Sequence, residues 1–191
     1  RKIATETHAL IAADLMSGLG ADLMPCSNIE GLDMIAGGAT ALATSVDGTL
    51  LYVASAGSDA LHVLNASTLA TLQTLSGATT AGLDGASAIA TSSDDRFVYV
   101  TAREGDSVSV FARSGSTLTH VQTLVNGADG VRGTLGASDV TLSPDGRFVM
   151  VTGSESNAIA VFGRDAVSGR LSFLQVVRNG VAAITNFSLT P

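Results

Sequence analysis

The stretch that decides the fold is GASDVTLSPDGRFVMVTGSESNAIAVFGRDAVSGRLSFLQVV, residues 136–177. Four short segments within it are rich in β-branched and aromatic residues, and each is bounded by Gly, Asp, Asn or Ser, the residues that turn a chain between strands. Such a stretch reads as a four-stranded antiparallel meander. Sliding the chain along itself shows that it is also a repeat. GASAIATSSDDRFVYVTAREGDSVSVFARSGSTLTHVQTL opens at Gly85 and GATALATSVDGTLLYVASAGSDALHVLNASTLATLQTL at Gly38, so successive copies are 47 and 51 residues apart, the difference falling in loops. A fourth copy opens near Gly180 and stops at Pro191, which aligns with Pro144.

Each position in the meander has its own chemistry. The first strand (Ala39 to Ser45, Ala86 to Ser92, Ala137 to Ser143) is small and modestly apolar, as suits an innermost strand around a central channel. The second carries Leu50 to Val53, Phe97 to Val100 and Phe148 to Val151, continuous apolar runs that predict burial on both faces between neighbouring blades. The third alternates, with Leu61, Val63 and Leu64 matching Val108, Val110 and Phe111, then Ile159, Val161 and Phe162. The fourth carries Leu69, Leu72 and Gln73, then Leu118, Val121 and Gln122, then Leu171, Leu174 and Gln175, and is the most polar, as an outer edge should be. Asp47-Gly48, Asp94-Asp95 and Asp145-Gly146 mark the turn between strands one and two, and Asp59, Asp106 and Asn157 recur before strand three. These acids read as turn formers in preference to calcium ligands.

The chain is therefore all-β, about three and a half blades of a β-propeller in one domain. Residues 38–84, 85–135 and 136–179 are blades, and 180–191 are the first strand of a further one. Residues 1–37 align less well and read as a preceding outer strand, at Thr7 to Leu15, with its connecting loop. A short helix through the same residues is the alternative, since Ala, Leu and Met favour helix. A blade cannot bury both faces alone, and closed rings have roughly four to eight of them. The remaining blades of the same chain, or further subunits, are needed to close the circle.

Composition narrows the function classes. Hydrophobic residues make up 46% and charged residues 14%, yet no apolar run approaches the roughly 18 residues of a membrane span. The net charge of -7, with ten scattered Lys and Arg, argues against a nucleic-acid surface. Cys26 is the only cysteine, which excludes an intrachain disulfide and a zinc site of the cysteine-pair type. The opening RKIATETHAL lacks the apolar core and small-residue cleavage site of a signal peptide.

At SPDGRFVMVTGSESNAIAVFGRDAVSGRLSFLQVV, residues 143–177, the sequence resembles the repeat of the lactonase-like, or YVTN-type, seven-bladed β-propellers, and DDRFVYVTAREGDSVSVF in the second copy agrees with it. The resemblance covers about residues 38–191 and extends to the propeller arrays of large bacterial surface and secreted proteins. It implies a propeller fold and an exported protein, extracellular, at the cell surface or periplasmic. It also implies, for lactonase members, a hydrolase or cycloisomerase site at the central channel built from His, Glu and Arg near the blade entrances. Those positions here hold Thr40-Ala41, Ser87-Ala88 and Ser138-Asp139, without a histidine. The family's Asn-Glu pair after strand two is replaced by Ala102-Arg103 and Gly153-Ser154, with Glu104 and Glu155 one residue later.

The other candidate residues are few. His62 and His120 align with Ser109 and Ala160, and with Thr71 and Phe173, so both read as packing or surface residues, while His8 lies in the unaligned region. Ser138 and Asp139 form the most distinctive polar departure at a blade entrance, and Arg103, Glu104 and Arg132 are candidates for a ligand-binding rim. No nucleophile elbow, phosphate loop, zinc pair or dinucleotide fingerprint is present, so no cofactor or metal is expected. Asn65-Ala66-Ser67 and Asn186-Phe187-Ser188 fit a glycosylation sequon, which matters only in a eukaryotic secreted protein. The sequence thus points to a non-enzymatic binding or scaffold module for a protein, glycan or small ligand. A lactonase-type enzyme with catalytic residues outside this segment, and a purely structural blade array, are the alternatives.

Overall fold

The computed structural model describes residues 38–178. The readings placed on Thr7 to Leu15, His8 and Cys26, and on the copy opened at Gly180 with Pro191 and the Asn186 sequon, lie outside the described residues.

Each of the three repeats folds as its turn chemistry requires, into an antiparallel sheet whose strands follow chain order. Blade 1 comprises β1 (Ala39–Thr44), β2 (Leu50–Ser55), β3 (Ala60–Asn65) and β4 (Thr71–Ser76); blade 2 comprises β5 (Ala86–Thr91), β6 (Phe97–Ala102), β7 (Ser107–Ser114) and β8 (Thr117–Val125). Blade 3 comprises β9 (Ala137–Leu142), β10 (Phe148–Gly153), β11 (Ala158–Arg164) and β12 (Leu171–Arg178). Among the described residues there is no helix. The turn from first to second strand is built the same way three times. Ser45 donates to the Asp47 carboxylate at 2.6 Å and accepts the Leu50 amide at 2.9 Å, and Ser92 and Ser143 do the same with Asp94 and Phe97, and with Asp145 and Phe148. The third turn residue has a positive φ, 70° at Gly48, 58° at Asp95 and 69° at Gly146, which explains why only Gly or Asp stands there.

The blades stack with β1 beside β5 and β5 beside β9. Leu50, Tyr52, Leu61 and Val63 of blade 1 pack against Val98, Val100, Phe111 and Leu118 of blade 2. Phe97, Tyr99, Val108 and Val110 of blade 2 pack in turn against Val149, Val151, Phe162 and Leu171 of blade 3. The second strand therefore sends alternate side chains to opposite neighbours, which is why it reads as a continuous apolar run.

Leu69 corrects one detail of the sequence reading. It does not belong to the fourth strand, which opens at Thr71; Leu69 sits in the preceding turn with φ 58°. Strand pairing puts Leu61 opposite Leu75, but Val108 opposite Leu124, so the first hairpin is two residues shorter and its turn takes up what is strand in blade 2. The linker from Leu124 to Gly136 is also two residues longer than the one from Leu75 to Gly85, which accounts for the rest of the spacing difference.

Polar groups tie neighbouring blades at fixed places. On the outer strands the Gln73 amide donates to the Leu118 carbonyl (2.9 Å) and accepts the Leu118 amide (2.7 Å), and Gln122 makes the same pair with Leu171 (3.2 and 2.9 Å). A side-chain amide here occupies backbone groups that would otherwise be an open edge. On the inner strands the Thr40 and Ser87 hydroxyls donate to the carbonyls of Ala86 and Ala137 at 2.5 and 2.7 Å.

Candidate functional site

In an antiparallel blade, the start of strands one and three and the end of strands two and four lie at one end of the sheet, the entrance end. Its backbone is fixed by the recurrent acids. Asp59 and Asp106, at φ 50° and 49°, accept the amides of Gly85 and Gly136 at 2.8 and 2.7 Å, so each acid before strand three holds the entrance glycine of the next blade. Among the described residues no group of His, Cys, Asp and Glu is arranged to hold a metal ion.

The five candidate residues all lie at this end. Arg103 and Glu104 follow β6 directly, both exposed; the Arg103 amide donates to the Gly85 carbonyl, and the Glu104 stem lies so close over Gly85 that a Cβ there would meet its Cγ at 2.7 Å. Glu155 stands over Gly136 in the same way, a repetition that the sequence shows only as an acid one residue out of place. Ser138 and Asp139 lie on β9. The Ser138 hydroxyl shares a 3.0 Å bond with Thr152, and an Asp139 oxygen accepts its neighbour's amide, that of Val140, at 2.9 Å, while the residue remains exposed. Arg132 is exposed in the linker between blades 2 and 3. No hydrogen bond or ion pair among the described residues joins any of these five to another.

Charge is distributed differently at the opposite end. There Arg113 pairs with Asp47 at 2.8 Å and with Asp95, and Arg164 pairs with Asp94 at 3.0 Å; these are the three ion pairs among the described residues. The Asp47 carboxyl is held well below the usual carboxylate range, first by the Ser45 hydroxyl and the Thr49 amide and then by Arg113. Burial pushes the Tyr52 phenol beside this cluster up to about 12. These ion pairs join neighbouring blades, while Asp145, Arg147, Asp165 and Arg170 at the same end are exposed.

Neither described histidine is placed as a base at the entrance. His120 is exposed on β8, edge-on to Phe111 with ring centroids 5.6 Å apart. His62 lies inside blade 1, 1% exposed, its Nδ1 3.1 Å from the Thr74 hydroxyl and its Nε2 buried without a partner. Burial depresses its pKa below 6.5. A histidine kept neutral by the native state is protonated more readily when unfolded, so its stability deficit develops as pH falls below the unfolded value. Unfolding midpoints measured from pH 7 to pH 5 should fall further for the wild type than for His62→Ser, which installs the hydroxyl found at Ser109. Parallel curves would show that His62 does not contribute.

Residues 37–185 match the family described as lactonase, seven-bladed β-propeller. No curated protein matches the chain significantly. Among solved structures, the chain is similar to a periplasmic gluconolactonase of Pseudomonas aeruginosa, at 28% identity and a TM-score of 0.62, over 80% of this chain and 44% of that one. It is similar to a protein from Lactobacillus plantarum at 29% identity and a TM-score of 0.62, over 73% and 41% of the two chains. A candidate 6-phosphogluconolactonase from Bacteroides fragilis, at 22% identity and a TM-score of 0.65 over 74% and 39%, shares the fold. The chain thus spans about two fifths of the length of the structures it matches.

Proposed function

The chain belongs to the seven-bladed β-propeller lactonase family, and from that premise we propose that residues 38–178 form a non-enzymatic binding segment of such a propeller, with the entrance end as its binding face. The observation that carries this reading is the set of exposed charges at the blade entrances. Arg103, Glu104, Arg132 and Asp139 are exposed at the blade entrances, outside every ion pair of the scaffold, and offer both signs of charge to a polar ligand. Hydrolysis of a lactone needs a base to activate water and donors to stabilise the developing oxyanion. At the inner strands the hydroxyls of Thr40 and Ser87 are instead engaged in holding the next blade.

A second reading, a lactone hydrolase whose catalytic residues lie outside residues 38–178, is favoured by family membership and by the likeness to the Pseudomonas gluconolactonase. The two readings separate in one assay. Full-length protein incubated with glucono-δ-lactone, with ring opening followed by acid release, should give no rate above spontaneous hydrolysis. A protein-dependent rate proportional to concentration would overturn the binding reading in favour of the enzyme.

A further inference from the structure

The turns between first and second strands meet their neighbours differently at the two blade junctions. Between blades 1 and 2, Asp95 reaches across the interface. One of its oxygens accepts the Val46 amide at 3.0 Å; the other accepts the Asp47 amide at 3.3 Å and a proton from Arg113 Nη1. Two successive backbone amides and a guanidinium thus cradle a planar anion, as backbone nests backed by arginine do. Between blades 2 and 3 the donors recur and the carboxylate does not. Gly146 stands in the place of Asp95, with the same left-handed backbone, φ 69° against 58°. The Ser93 and Asp94 amides, counterparts of those of Val46 and Asp47, have no acceptor among the described residues. Arg164 keeps the register of Arg113. Its Nη2 donates to Asp94 at 3.0 Å, as that of Arg113 donates to Asp47 at 2.8 Å, while its Nη1 turns to the Gly146 carbonyl at 3.2 Å. That nitrogen has two protons, so one remains for a further acceptor.

Space and charge agree with the pattern of donors. A Cβ built on Gly146 would lie 3.5 Å from Arg164 Nη1 and 3.9 Å from Ser93 Oγ, with nothing else within 4 Å. The place that a carboxylate takes at the first junction is therefore not filled by protein at the second. It opens into a hollow of about 290 Å³ whose walls include Thr91, Ser93, Thr141 and Leu142. At the first junction two carboxylates share Arg113, whereas at the second Arg164 faces Asp94 alone, so a bound anion would give both junctions the same charge balance. The turn of blade 3 does not offer this cradle again, because Pro144 replaces Ser93 there and has no amide proton.

We propose that the junction of blades 2 and 3 binds a small free carboxylate, which takes the position that the Asp95 side chain takes at the junction of blades 1 and 2. One oxygen accepts the Ser93 amide, and the other accepts the Asp94 amide and Arg164 Nη1. The tail of the acid extends into the hollow toward the hydroxyls of Thr91 and Thr141. This site is at the end of the blades opposite the entrance face and does not rest on the binding role proposed for that face.

The test follows the amide resonances of the isotope-labelled full-length chain while sodium acetate replaces sodium chloride at constant pH and ionic strength. The Ser93 and Asp94 amides should shift together and saturate, while those of Val46 and Asp47, already bonded to Asp95, stay in place. Gly146→Asp supplies the carboxylate from within the chain. It should abolish the acetate response and raise the unfolding midpoint measured in chloride, whereas the midpoint of the wild type should rise only when acetate is added. Shifts that grow linearly without saturating, or that Val46 and Asp47 share, would overturn the proposal, and so would a response that survives Gly146→Asp. Should that variant fail to fold, Asp95→Gly removes the carboxylate from the first junction, and its Val46 and Asp47 amides should then respond to acetate. Their failure to do so would count equally against the site.

Discussion

Replacing Gly153 with alanine is expected to destabilise the protein by about 2–3 kcal/mol, the upper part of the roughly 1–3 kcal/mol range for forcing an extra carbon into a close-packed site. The expectation runs against the usual sign. Alanine in place of a strand glycine with an ordinary backbone stabilises by about 0.4–1 kcal/mol, because the unfolded chain loses freedom. At Gly153, however, a Cβ would fall on the carbonyl group of Gly133 and approach the Leu135 carbonyl oxygen to 3.0 Å, and these are backbone atoms that cannot swing aside. The counterparts of Gly153 at the end of the second strand are Ser55 and Ala102, which carry a Cβ and are buried. At blade 3 the backbone of residues 133–135 crosses the end of β10 against Gly153. Gly163→Ala, in the same sheet, is the control. Its Cβ would meet the Ser172 hydroxyl at 3.1 Å and the Leu174 methyls beyond it, groups that can give, and its effect should stay within about 0.5 kcal/mol. Urea unfolding of both variants decides the matter, and a neutral Gly153→Ala would show that the linker can move away.

The same residues explain how far the sequence can be read. The blades were legible because the turn chemistry is repeated: Ser-x-Asp followed by Gly or Asp fixes one end of each first hairpin, and an entrance glycine at positive φ fixes the other. The double burial of the second strand was legible for the same reason, since alternate side chains of Phe97 to Val100 face two different apolar neighbours. The place of Leu69 was not, because a hairpin two residues shorter keeps its composition while shifting its register.

The recurrent acids show a further limit. Asp59 and Asp106 read as local turn formers, and their backbones are left-handed as that requires, but each carboxylate is also bonded to a glycine 26 or 30 residues on. Nothing local in a sequence marks such a bond. It could have been found only by asking why Asp or Asn recurs before strand three together with an entrance glycine in the next copy. The rim residues were found as departures from the repeat, and that signal locates exposure without naming a ligand: Arg103, Glu104, Arg132 and Asp139 are exposed at the entrance.

Removing the Arg164 side chain should cost about 3 kcal/mol, at the lower end of the range for breaking a buried ion pair, because one partner keeps contact with water. The side chain is 5% exposed and joins blade 3 to blade 2 through three contacts, with a fourth inside its own blade. Nε donates to the Tyr99 hydroxyl at 2.7 Å, one terminal nitrogen donates to Asp94 at 3.0 Å, the other to the Gly146 carbonyl at 3.2 Å, and the plane lies 5.4 Å from the centre of the Phe97 ring. Tyr99 in turn donates to the Gly169 carbonyl at 3.1 Å, so the loss would loosen the turn that covers Phe97. Arg164→Lys should recover less than half of the stability, since an ammonium cannot make three divergent bonds while lying flat on an aromatic ring. Burial alone would raise the Asp94 carboxyl, but the Ser92 hydroxyl, Arg164 and the Arg96 amide together hold it below 3.8. A depressed carboxyl stabilises the fold fully above its unfolded pKa and loses that contribution as pH falls through the lower folded value. The wild type should therefore lose its advantage over Arg164→Ala below about pH 4, with the two unfolding curves converging in acid. A gap that stays constant from pH 7 to pH 3 would mean that Arg164 acts through packing on Phe97, and that the link to Asp94 contributes little.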